Sequence, residues 1–186
     1  MFMLYPIVLA VAIGRALGGR LENLSAVRLR WAGLAAAGLV AQVVLFWGPV
    51  SGAVGDVGPP IYVASSVLVL LVVLRNLRVA GLVLVAAGAA SNLAAIVANG
   101  GYMPASPGAL DALGWSPGSG YSNSREFAEP ALGALGDVFA LPSWLPLANV
   151  FSVGDVLIGV GVGIAIAWAM TRPVARPVVR SDNSPE

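Results

Sequence analysis

The side chains able to do chemistry in this sequence are few, and the most suggestive group is Ser152-Val153-Gly154-Asp155. With no Cys and no His among 186 residues, thiol catalysis, thiolate metal sites and the commonest general base are excluded. No metal site and no cofactor is expected. Serine nucleophiles fall as well, because neither His nor Lys is present to activate Ser65, Ser66 or any other hydroxyl. Carboxylate and amide chemistry is left. Asp155 is the one acid inside a long apolar run, where an ionised group costs about 2.5 to 3.5 kcal/mol in lipid and is a functional candidate by default. Ser152-x-x-Asp155 also has the spacing of a capping box, in which a hydroxyl and an acid satisfy free amides at a helix start.

Asn92 and Asn99 come next. An amide in lipid needs a partner, so Asn92 should face another helix, with Gly88 and Ala89 letting backbones approach; a ligand contact is the alternative. Asn99-Gly100-Gly101 reads first as a helix break. Asp137, in Gly136-Asp137-Val138-Phe139, is the loop acid that could pair with Asp155, although nothing local positions it there. Gln42, Ser65, Ser66 and Asn76 read as backbone or interhelical hydrogen-bonding groups.

The elements that must position these residues are membrane helices. The chain is 58% hydrophobic and 10% charged, against about 25% charged in ordinary soluble domains. Its net charge of +1 shows no basic clustering of the kind that a nucleic-acid partner requires. Apolar runs of near-spanning length occur at Met1–Leu17, Trp31–Val50, Ile61–Leu74, Val79–Ala98 and Val153–Met170. They predict an all-α, polytopic membrane helical bundle of about five transmembrane helices. The first run has no basic residues at its start, while Arg15 lies in its last turn and Arg20 follows it, so it reads as a retained span rather than a signal peptide. Gly159 and Gly163, a small-x-x-x-small pair, mark a packing face of the fifth span.

The basic residues are all Arg. Arg15, Arg20, Arg28 and Arg30 precede the second run, Arg75 and Arg78 lie between the third and fourth, and Arg172, Arg176 and Arg180 follow the fifth. Only Arg125 falls on the other side, with Asp56, Asp111, Glu126, Glu129 and Asp137. This asymmetry predicts the N-terminus outside and the C-terminus in the cytoplasm. Residues 1–172 then form a single transmembrane helical domain with a long outer loop, 99–146, followed by a disordered cytoplasmic tail, 173–186. Ser106-Pro107 should start a short helix ending at Gly114, and Pro130–Phe139 a second one. Trp115, Tyr121, Phe127, Phe139 and Trp144 should fold this loop back onto the membrane interface.

Gly18-Gly19-Arg20-Leu21-Glu22-Asn23-Leu24, Arg28-Leu29-Arg30-Trp31, Asn76-Leu77-Arg78, Asn99-Gly100-Gly101-Tyr102-Met103-Pro104 and Asn149 to Ile158 together resemble an uncharacterised family of small bacterial integral membrane proteins, domain of unknown function 5317. The resemblance runs from about Leu17 to Met170 and implies a bacterial cytoplasmic membrane location, but no activity. A second, local similarity is to lipoprotein signal peptidase, an aspartyl peptidase. Its last block, Phe-Asn-x-Ala-Asp with Ile three residues on, is similar to Phe151, Ser152, Gly154, Asp155 and Ile158, and so implies a catalytic carboxylate at Asp155. Its other block, Gly-Asn-x-x-Asp-Arg, is similar to Ser91-Asn92-Leu93-Ala94, but Ala95 stands where the second catalytic Asp would be. Two carboxylates sharing a proton are needed for that chemistry.

The expectation is therefore a noncatalytic membrane protein whose partners are membrane lipids and a small-molecule, lipid or peptide ligand at the outer leaflet. An aspartyl-type membrane peptidase is the alternative. A transporter or channel ranks third, because no other span carries an intramembrane charge. The ligand residues would be Asn92, Asn99, Ser152 and Asp155, with Asn92 and Asp155 in reach of each other under a cleft roofed by the loop.

Overall fold

The computed structural model of the chain describes residues 3–114 and 122–172. Trp115, Tyr121, Arg176, Arg180 and the predicted tail lie outside the described residues. The fold is mostly helical: α1 (Leu4–Ala16), α2 (Ala32–Leu45), a single turn α3 (Gly48–Ser51), α4 (Gly58–Arg75), α5 (Leu82–Ala98), a short α6 (Pro107–Leu113) and α7 (Val153–Thr171). Among the described residues two segments are long and apolar enough to cross a membrane, Gly55–Arg75 and Val153–Thr171. Helices α1, α2 and α5 are apolar but shorter, at 13, 14 and 17 residues.

The shortening has local causes. Gly18 at φ +80° ends the α1 segment, Pro49 in the first turn of α3 restarts the chain after an extended Trp47, and Gly81 at φ +84° delays α5 to Leu82. The helices pack as a row, α1 against α7, α7 against α5, α5 against α4 and α4 against α2. Gln42 Nε2 donates to Ser66 Oγ across α2 and α4 at 3.3 Å, and Ser65 Oγ donates to the Tyr62 carbonyl at 2.9 Å, which are the local roles expected of them.

The tightest seam is α5 against α7. A Cβ at Gly88 would collide with the Gly154 carbonyl, and one at Gly81 with the Gly161 carbonyl; with no side chain at these points the two backbones approach closely, as small residues allow. The predicted Gly159 and Gly163 pair turns elsewhere, towards α1, where Gly163 lies beside Ala10 and Pro6. Helix α7 is thus packed on two sides, by α5 and by α1.

Between α5 and α7 the chain forms a cap. Strand β1 (Met103–Ala105) pairs in parallel with β2 (Ser124–Glu126), and β3 (Phe139–Ala140) pairs antiparallel with β4 (Val150–Phe151), Phe139 opposite Phe151. Helix α6 forms as expected: Ser106 Oγ accepts from the Ala109 amide, Pro107 begins the helix and Gly114 at φ +61° closes it. The second helix expected at Pro130–Phe139 is not there. A three-residue 3-10 turn, Gly133–Leu135, is followed by extended Gly136, and Asp137 bridges to Ala105. Leu132 at φ 52° and the contact of Gly136 with the Pro104 carbonyl leave no room for helical turns.

Two apolar clusters hold the cap. Ala105, Ala109, Leu110 and Val150 bury one another within it, with Leu113 and Ala140 against them. Ala95, Ile96 and Met103 join it to α5, with Tyr62, Val63 and Leu135 against them. Of the aromatic residues expected on the membrane interface, Phe139 stacks on Phe151 with ring centroids 5.4 Å apart, and both Phe139 and Trp144 are exposed.

Candidate functional site

Ser152 is the N-cap of α7, with the capping box in place: its Oγ accepts from the Asp155 amide at 3.0 Å, and its own amide donates to Asp155 Oδ2 at 3.0 Å. Across the seam, Asn92 Nδ2 donates to Asp155 Oδ1 at 2.8 Å, and Ser152 Oγ donates to Asn92 Oδ1 at 2.9 Å. Asn92 and Asp155 therefore meet directly, as expected from the sequence. The three side chains close a ring in which the Ser152 hydroxyl both donates and accepts, and Ser152 is fully buried. Gly154 makes this possible, since a Cβ there would overlap Asn92 Oδ1.

Asn99 stands apart from this ring. It lies seven residues beyond Asn92, about 10 Å along the helix axis. Its Nδ2 donates to the carbonyls of Ala95 and Ala131, at 2.8 and 2.7 Å, and its Oδ1 accepts from the Ala131 amide at 3.0 Å. This fork pairs with both backbone groups of one residue, Ala131, as a strand neighbour would, and pins the cap to the end of α5. The Asn99-Gly100-Gly101 break does follow, with Gly100 and Gly101 at φ +66° and +91°.

Asp137 is held within the cap by contacts other than Asp155. Its amide donates to the Pro104 carbonyl at 2.8 Å, its carbonyl accepts from the Ser106 amide at 3.0 Å, and its Oδ2 accepts from Ser124 Oγ at 2.5 Å. Only 4% of it is exposed. The Phe139 to Phe151 register runs Asp137 back towards the start of α7, where Asp155 sits in the first turn. Burial pushes the Asp137 carboxyl up to about 6, the Ser124 hydroxyl opposes this, and the charge of Asp155 adds to the rise. Ser124 was not singled out by the sequence reading; a lone Ser in a loop of Ser, Gly and Pro carries no signal.

A cleft of about 640 Å³ opens in the cap, within the range of small-ligand sites. Leu113, Leu145, Leu147 and Val150 supply apolar walls, and Ser122, Asn123, Ser124, Ser143 and Asn149 supply polar groups. Asn149 Oδ1 is buried there without a hydrogen-bond partner. None of Asn92, Asn99, Ser152 and Asp155 lines this cleft; Ser124 is the link, facing the cleft and holding Asp137. Arg125 stacks over the Tyr102 ring at 3.6 Å and Asp111 lies on exposed α6 surface. Among the described residues no group of three or more potential metal-ligating side chains occurs.

Compared with known families, residues 26–167 match a family described as a family of unknown function, DUF5317. No curated protein and no solved structure matches the chain.

Proposed function

We propose, for a chain that belongs to the family of unknown function DUF5317, a role as a noncatalytic, multi-pass protein of the bacterial cytoplasmic membrane that holds a lipid or peptide segment in its outer cap. The observation that carries this reading is the half-apolar cleft of about 640 Å³ in a cap pinned to the helix ends at Asn99 and at β4. Its Asn149 oxygen offers a polar ligand an unused acceptor.

Five spans with the N-terminus outside fit the arginine asymmetry and the apolar outer surface of the helices, on which Val8, Val43 and Val83 are 68%, 72% and 62% exposed. Water would penalise such a surface and lipid would not. For α1, α2 and α5 to cross, flanking residues must enter the interface or the bilayer must thin locally, at a modest cost per Å of mismatch. The Asn92, Ser152 and Asp155 ring supports the noncatalytic reading, because each member already serves the others.

A photo-crosslinking amino acid at Leu145 tests the cleft in native membranes. The expected product is an adduct of lipid or peptide mass that is lost when Asn149→Leu removes the acceptor. An uncrosslinked protein at Leu145, with adducts forming equally at exposed Val43, would refute it.

The electrostatic influence of Asp155 on the buried Asp137 carboxyl favours one second reading, an aspartyl-type membrane peptidase. Two carboxyls that feel each other's charge are what that chemistry needs, one to activate water while its partner polarises a carbonyl. Cleavage of a candidate lipoprotein, abolished by both Asp137→Asn and Asp155→Asn in folded protein, would establish it. Absence of cleavage by the folded wild type would dismiss it.

A further inference from the structure

The opposite end of the bundle carries a second built surface. Asn76, buried at the end of α4, forks onto Arg30: its Oδ1 accepts from the Arg30 amide at 2.8 Å, its Nδ2 donates to the Arg30 carbonyl at 2.9 Å, and that nitrogen also lies 2.7 Å from the Val72 carbonyl. This ties the segment Arg28-Leu29-Arg30-Trp31 to Leu74-Arg75-Asn76-Leu77-Arg78. The Arg75 guanidinium lies 5.7 Å from the Trp31 ring centroid. Arg28, Arg30, Arg75 and Arg78 are all exposed, and among the described residues the one ion pair is elsewhere, Arg20 with Glu22. Leu29, Trp31, Leu74 and Leu77 are exposed between them. Helix α2 starts at this point with no side-chain cap and no acid in its first turn, and a Cβ at Gly33 would meet nothing within 4 Å. Its free amides and positive dipole end add to the guanidinium charge.

We infer that this patch, resting on the membrane reading above, binds the headgroup of an anionic phospholipid of the inner leaflet. A soluble anion would satisfy the arginines and leave the leucines and Trp31 wet. A zwitterionic lipid would cover the apolar residues and leave the positive charge uncompensated. An anionic phospholipid matches both, its phosphate held by planar guanidinium forks and its first methylenes against Leu29, Trp31, Leu74 and Leu77. Fixing the two segments together through Asn76 makes this a defined site rather than scattered interfacial charge.

The test is native mass spectrometry of the full chain released from nanodiscs of equal phosphatidylglycerol and phosphatidylcholine. Retained lipid should be enriched in phosphatidylglycerol by about fivefold or more, the factor corresponding to one arginine at a charged surface. The double variant Arg30→Gln with Arg75→Gln should lose the enrichment. Arg15→Gln with Arg172→Gln, which removes as many arginines near other helix ends, should keep it. Equal loss in both doubles, or enrichment erased by millimolar inorganic phosphate, would overturn the inference. Should the first double fail to fold, wild-type tryptophan quenching decides: brominated phosphatidylglycerol should quench more than brominated phosphatidylcholine, and Trp31→Phe should remove the excess. No excess in wild type would overturn the site. Wild type that survives an alkaline wash of membranes but shows no lipid preference refutes this inference alone, whereas wild type released by the wash refutes the membrane reading.

Discussion

Asn92 and Asn76 hold the two ends of the helix row by different means. Asn92 engages side chains, Ser152 and Asp155, so the seam at the cap end depends on an acidic side chain and on the α7 cap. Asn76 engages only backbone, of Arg30 and Val72, so the clamp at the arginine end is neutral and leaves its arginines exposed. The cap end spends its polar groups on one another, whereas the arginine end presents its charges. On the functional reading proposed above, the cap end should respond to pH and to side-chain substitution, while the arginine end should respond to lipid charge.

The largest effect is expected from Gly154→Leu, which drives a side chain into Asn92 Oδ1 and the Gly88 carbonyl. Overpacking at a backbone contact should cost about 3 kcal/mol or more, read as a lowered thermal midpoint in detergent. Gly33→Leu, at an open glycine, should change the midpoint little.

A pH series separates the ends next. Asp137 titrates at about 6 in the folded chain against an ordinary value of 3.8, so between these values the folded state holds more protons than the unfolded state. Its stabilising contribution is full below about pH 3.8, is lost as pH rises through 6 and is constant above. The difference is up to about 3 kcal/mol. Thermal midpoints of wild type should fall from pH 4 to pH 7, and Asp137→Asn should flatten that step. A midpoint rising over this range would show that Asp137 is not the acid that burial makes it.

Asn92→Leu should cost about 2 kcal/mol, because it strips partners from Ser152 and Asp155 in a buried setting. Asn76→Leu should cost about as much, but it should also free the Arg28 to Trp31 segment and reduce phosphatidylglycerol retention, which Asn92→Leu should leave intact. Asp155→Asn should be the mildest change within the ring of Asn92, Ser152 and Asp155, about 1 kcal/mol for a weakened cap, with crosslinking at Leu145 retained.

Local signals carried much of this into the sequence. Ser152-x-x-Asp155 and Ser106-Pro107 through Gly114 are short-range devices whose chemistry is contained in a few adjacent residues, and both helix starts formed where expected. Asn92 could be placed against α7 because an amide among apolar residues needs a partner and Gly88 permits close approach. The position of Asp137 was not legible, since it depends on the pairing of Phe139 with Phe151 and on the bridge to Ala105, contacts between segments that share no local pattern. The supposed helix at Pro130–Phe139 failed for the same reason: the extended backbone at Gly136 is set by Pro104, more than thirty residues earlier. Helix ends at Phe46 and Gly81 were blurred because hydropathy runs continue through turns whose backbone conformation composition does not reveal.

Sidedness of the cap and the arginine patch is the most direct test of the central claim. The chain contains no Cys, so Asp111→Cys and Arg78→Cys, made singly, can be probed in intact cells with an impermeant maleimide. The expected result is labelling of the Asp111→Cys protein at once and of the Arg78→Cys protein only after permeabilisation. Labelling in the reverse order, or of both variants without permeabilisation, would contradict a membrane protein whose cap faces outward.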